Sequence, residues 1–114
     1  MKIKLSRKHV VCSDGSTKDE LLLDEPVTRE FLDYLGNFGD MTIRENLKVP
    51  AYFFYSEGYL SMKGVLDDDY VEMRRQLKFV EKTEGLFGLI LSSYTEGSSG
   101  VQKVKDEMQR IAED

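Results

Sequence analysis

The sequence predicts an α+β fold: a two-layer antiparallel sheet with helices on one face. Three observations carry that expectation. Residues 51–65, AYFFYSEGYLSMKGV, read as two strands turning at Glu57-Gly58, where glycine supplies the positive φ of a tight turn. Val27, Phe31, Tyr34, Leu35 and Phe38 recur at helical spacing. The 114 residues are 40% hydrophobic, and the 32% that are charged are mixed in sign, which argues for one packed core rather than disorder. A single domain spanning residues 1–114 is the natural count for this length.

Taken in order, residues 2–12 read as a strand. Ile3 and Leu5 alternate with lysines, and Val10, Val11 and Cys12 form a run of buried type. Residues 13–20, SDGSTKDE, read as a polar loop, and Leu21-Leu22-Leu23 as a short strand or a plug into the core. A helix is expected from Pro26, a residue favoured in the first turn, to Gly36 and Gly39, which mark its stop. Residues 41–44 suggest a short extra strand. The hairpin follows, entered through Pro50.

Asp69 and Glu72 have the spacing of a capping box, and Tyr70, Met73, Leu77 and Val80 then line one helical face. A rival strand reading through Val71, Met73, Leu77 and Phe79 is broken by Arg75, so a helix ending at Gly85 is expected. Residues 86–94, LFGLILSSY, are apolar on both sides and read as a central strand, with Gly88 permitting a close approach. Residues 95–100, TEGSSG, read as a flexible connector. Ser99 and Gln102 suggest a capping box for a final helix with a stripe of Val101, Val104, Met108 and Ile111. The resulting order, strand–helix–hairpin–helix–strand plus a C-terminal helix, resembles the ferredoxin-like split βαβ arrangement.

The hairpin also suggests a working surface. A two-residue turn pairs Tyr55 with Leu60, Phe53 with Met62 and Ala51 with Gly64 on the core side. It leaves Tyr52, Phe54, Tyr59 and Lys63 on the opposite face, with the final helix as the expected cover. Tyr and Phe are enriched at interface cores. The expected function is therefore a non-enzymatic cytoplasmic interaction or regulatory module that binds a protein partner, or itself as a homo-oligomer, through this aromatic face.

The alternative is a small-ligand or divalent-cation (calcium-type) binding domain. Its site would be the carboxylates Asp67, Asp68 and Asp69, or the loop at 13–20. A helix start, where acids are favoured and one serves as cap, is the preferred account of the acids at 67–69. A third class, an enzyme whose pocket forms between subunits, has no catalytic motif to support it, and no phosphate loop or dinucleotide motif calls for a cofactor. Cys12 and His9, the sole Cys and His, are too few for a zinc site and are expected on opposite faces of a strand, Cys12 as a buried thiol.

Net charge is −5, which disfavours nucleic acid as partner. An aromatic sheet face invites comparison with base-stacking RNA platforms, but Lys63 alone adds positive charge there. Residues 1–12 carry Lys2, Lys4, Arg7 and Lys8 without an acid, as suits a sheet edge protected from aggregation. No stretch resembles a secretory leader or reaches membrane-spanning length, so a cytoplasmic location without a membrane partner is expected.

Overall fold

The computed structural model describes residues 1–46 and 48–113, with the side chains of residues 8–10 outside the description. His9 is among them, so its expected relation to Cys12 lies outside the described residues. The described residues form six strands, β1 (Ile3–Val11), β2 (Ser16–Leu23), β3 (Asp40–Arg44), β4 (Ala51–Ser56), β5 (Leu60–Val65) and β6 (Tyr70–Gln76), and three α-helices, α1 (Arg29–Leu35), α2 (Leu86–Ser93) and α3 (Gly97–Glu113). The strands make one antiparallel sheet in the order β1-β2-β6-β5-β4-β3. The α+β class and the antiparallel sheet are as expected. The chain order is not the split βαβ one, because two segments exchange type.

The first exchange is at residues 70–76, expected as helix and found as β6. Its inward side chains are Val71, Met73 and Arg75, the last forming an ion pair with Asp19 of β2 at 2.9 Å. Arg75 interrupts the apolar alternation locally, yet its charge is paired with a residue far away in sequence, while its Nε has no hydrogen-bond partner among the described residues. The same pair explains β2, expected largely as a loop. Thr17, Asp19, Leu21 and Leu23 all point inward and are buried, but the first two are polar and conceal the period. The turn before β2 is fastened by Asp14, whose Oδ1 accepts from the Ser16 amide at 3.1 Å and from its hydroxyl at 2.6 Å. Cys12, at this turn, is half-buried rather than fully buried.

The second exchange is at residues 86–93, expected as a strand and found as α2. Its Leu86, Phe87, Ile90 and Leu91 are buried, and a short apolar run does not distinguish a buried helix from a buried strand. Gly88 meets no close neighbour and is exposed, contrary to the close approach expected there. The connector at 95–100 is a 3₁₀ turn, Tyr94–Glu96, running into the first turn of α3. Ser99 donates its hydroxyl to the Glu96 carbonyl at 2.8 Å instead of capping α3.

Other expectations hold in part. The first helix stops at Gly36 as expected but starts at Arg29 rather than Pro26, with Thr28 as its cap, accepting from the Phe31 amide at 3.2 Å. β3 is the extra strand at 41–44, begun one residue earlier. The basic β1 is an edge strand. Val104 and Ile111 of the final helix are buried, with Val101 and Met108 packed at their border.

All three helices contribute to the same buried cluster as the inward side chains of the sheet, including Leu21, Leu23, Tyr52, Phe54, Leu60, Met62, Val71 and Met73. The helices therefore share one face. Tyr34 of α1 ties to α2 by donating its hydroxyl to the Ile90 carbonyl at 2.7 Å. Burial, with a smaller push from Glu96, raises its phenol to about 12. Among the described residues, no helix is long and apolar enough to cross a membrane.

Candidate functional site

The β4–β5 loop decides which side chains the open face presents. Ser56 pairs with Leu60, so the turn contains Glu57, Gly58 and Tyr59, one residue more than expected. Because side chains alternate, a one-residue shift sends β4 to the other face of the sheet. Phe54 pairs with Met62, and Tyr52 with Gly64; both aromatics are core, at 2% and 0% exposed. Phe53 and Tyr55, expected in the core, stand outward at 39% and 53% exposed.

The proposed quartet Tyr52, Phe54, Tyr59 and Lys63 is thus not brought together on one surface. Tyr52 and Phe54 lie under the helices. Gly64 leaves room for the Tyr52 ring, since a Cβ there would sit 2.5 Å from its hydroxyl. Burial raises the Tyr52 phenol, and its hydroxyl has no hydrogen-bond partner among the described residues. Tyr59 lies in the turn and donates its hydroxyl to the Met108 carbonyl of α3 at 2.8 Å. Of the four, Lys63 faces outward from the sheet.

Around Lys63 the strand register builds a continuous row. Arg7, Glu20, Glu72, Lys63, Phe53 and Thr42 are successive cross-strand neighbours from β1 to β3. The row beside it holds Lys18, Arg74, Ser61, Tyr55 and Asp40. Glu72 is the hub, 9% exposed. Its carboxylate lies 3.6 Å from Lys18 Nζ, 3.3 Å from Lys63 Nζ and 3.3 Å from Arg74 Nε. Partial burial pushes its pKa up, but the hydrogen bonds and charges of Lys63 and Arg74 outweigh this and hold it below the ordinary glutamate value.

Arg44 lies over the Phe53 ring, 5.1 Å from its centroid. At the other flank, Tyr70 is 40% exposed. Its phenol is pushed up by burial and by the charges of Glu20 and Glu72.

The face is hollow as well as charged. A depression of about 260 Å³ is lined by Thr42, Phe53, Tyr55, Lys63, Glu72 and Arg74, among others. It adjoins a second of about 230 Å³ at the sheet end, and Tyr55, Ser61 and Arg74 wall both. Sequence reasoning missed Lys18, Phe53, Tyr55, Glu72 and Arg74. The signal lay in the alternation of 70–76, where Tyr70, Glu72, Arg74 and Gln76 are the polar face of a strand.

Among the described residues no three His, Cys, Asp or Glu side chains group as metal ligands. Asp67, Asp68 and Asp69 link β5 to β6 rather than starting a helix. Asp67 adopts a left-handed φ of 67°, which Asp tolerates. Asp68 Oδ1 accepts from the Asp69 amide at 2.8 Å. The loop proposed at 13–20 is a tight turn followed by β2. On the helix side a cavity of about 430 Å³ is lined by Asp19, Arg75, Thr83, Glu84 and apolar residues that include Leu21, Met73 and Phe87.

No family model matches the chain, and no curated protein or solved structure shows significant similarity to it.

Proposed function

We propose that this chain is a non-enzymatic interaction module that engages a protein partner through its open sheet face. The observation that carries this reading is the asymmetry of the sheet. The helices pack on one face, while the other offers a shallow hollow with Phe53 and Tyr55 exposed beside Lys63, Glu72 and Arg74. Aromatic and arginine side chains around a concavity are the composition of protein-binding hot spots. The phage display of random peptides against the full chain tests the reading. Selected peptides are expected to bind the wild type and to lose binding to a Phe53→Ser/Tyr55→Ser variant whose circular dichroism is unchanged. Failure to select any binder, or binders indifferent to the double variant, would overturn it.

A small-ligand site is the second reading. What favours it is the 430 Å³ cavity beside the buried Asp19–Arg75 pair, since apolar walls with a few fixed polar groups are typical of ligand pockets. A fragment screen read by chemical shifts of Thr83, Gly85 and Phe87 tests it, and no shift at these residues removes it.

A further inference from the structure

The open face differs in charge from the chain that carries it. Its outward side chains include five cations, Arg7, Lys18, Arg44, Lys63 and Arg74, and three carboxylates, Glu20, Asp40 and Glu72. These eight described side chains sum to a formal +2 within a chain of −5, and all other residues together sum to −7. Three of the cations converge on one carboxylate, Glu72. That carboxylate neutralises one charge of three. The ammonium groups of Lys18 and Lys63 and the Arg74 guanidinium hold more hydrogen-bond donors than Glu72 has lone pairs.

Resting on the interaction reading above, we infer that the occupant of this face is an acidic segment of another protein that also carries aromatic side chains. Its carboxylates take the places around Lys18, Lys63 and Arg74 in competition with Glu72, and an aromatic side chain enters the hollow between Phe53 and Tyr55. Charge complementarity selects this partner. A second copy presenting the same face would oppose +2 with +2. A nucleic-acid strand gains from the cations and the exposed rings, but its phosphates would meet Glu20, Asp40 and Glu72 within the face and the −7 of the rest. A peptide spaces its carboxylates among neutral residues and avoids them. Glu72 is then an internal competitor: it keeps the cations ordered and lowers the face's affinity for outside acids.

The test uses the full chain and four probes: a peptide of alternating Glu and Phe, the matching Lys and Phe peptide, a Glu and Ser peptide, and oligouridylate. Binding is followed by titration calorimetry at low and physiological salt. The Glu/Phe peptide is expected to bind best, with affinity falling as salt rises. Glu72→Gln is expected to tighten it about two- to fivefold, the scale of one partly exposed ion pair. Glu20→Gln, beside Glu72 in the row, tightens it in the same direction and serves if Glu72→Gln does not fold. Lys63→Glu/Arg74→Glu is expected to weaken it by about tenfold or more. A purely structural Glu72 would lower the melting temperature without tightening binding.

Equal or better binding of the Lys/Phe peptide or of oligouridylate overturns the inference. So does concentration-dependent self-association that the Glu/Phe peptide does not disperse, or a Glu72→Gln variant that folds and binds no tighter. If the Glu/Phe peptide fails while display-selected peptides of other composition still require Phe53 and Tyr55, the acidic partner is wrong and the interaction module stands. If neither class binds, both fall.

Discussion

At the scale of single residues, two adjacent phenylalanines have opposite fates. Phe54 is in the core at 2% exposed, and Phe53 stands on the open face at 39%. Truncating a buried Phe costs about 3–5 kcal/mol, so Phe54→Ala is expected to fall in that range and Phe53→Ala near 1 kcal/mol or below. Urea unfolding of both variants checks this, and similar midpoints would contradict the three-residue turn. The Asp19–Arg75 pair is the second residue-scale feature, with both side chains more than nine-tenths buried. Removing one partner takes from the other its nearest counter-ion, Glu84 at 3.8 Å being a second carboxylate near Arg75, so Asp19→Ala should cost about 3 kcal/mol, while Asp19→Leu/Arg75→Met should return most of that loss. A double-mutant cycle in denaturant measures the coupling; additive losses would mean that the pair is not a unit.

At the scale of elements, the contact between α2 and α3 depends on how near their backbones come. A Cβ built at Gly100 would lie 2.0 Å from the Ser93 carbonyl oxygen. Gly100→Ala must push the helices apart and is expected to destabilise by about 2 kcal/mol or more, the scale of overpacking. Gly88 sits inside α2 in open space, so Gly88→Ala should stabilise by about 0.5–1 kcal/mol through helix propensity. Thermal melts of the two variants should move in opposite directions. Elements legible in the sequence were those whose own residues carry the whole signal. α1 has an apolar stripe and a terminal glycine within a dozen residues, although its start lies at Arg29 and not at Pro26, and α3 has its stripe of Val101, Val104, Met108 and Ile111. β6 and α2 were not legible. The capping-box spacing of Asp69 and Glu72 imitated a helix start, and an apolar octet fits a buried helix as well as a buried strand.

At the scale of the whole molecule, the sheet is one-sided and α3 is part of its cover. Val104 and Ile111 share the buried cluster with Tyr52 and Phe54, and Met108 accepts the Tyr59 hydroxyl. Deleting residues 97–113 would open a contiguous apolar surface on the helix side, beyond what a soluble monomer ordinarily exposes. The truncated chain is expected to associate, with light scattering well above that of the full chain and a lower melting temperature. A monomeric truncation of unchanged stability would show that α3 covers nothing.

The sequence by itself determined the α+β class, the hairpin at 51–65, the first and last helices, and the basic edge strand. Each rests on periodicity or turn chemistry local to a few residues. It also placed Lys63 beside an aromatic strand. Only the tertiary structure decided which aromatics face outward, because one extra residue in a turn inverts a strand whose two faces are both aromatic. Tyr52 and Phe54 are as apolar in sequence as Phe53 and Tyr55, so hydrophobicity could not choose between them. Asp19 and Arg75 likewise read as surface residues one at a time, and their burial follows from a pairing across 56 positions. The cationic ring around Glu72 has the same origin. Lys18, Lys63 and Arg74 come from three strands, and the side-by-side register of β2, β6 and β5 brings their charges to a single carboxylate.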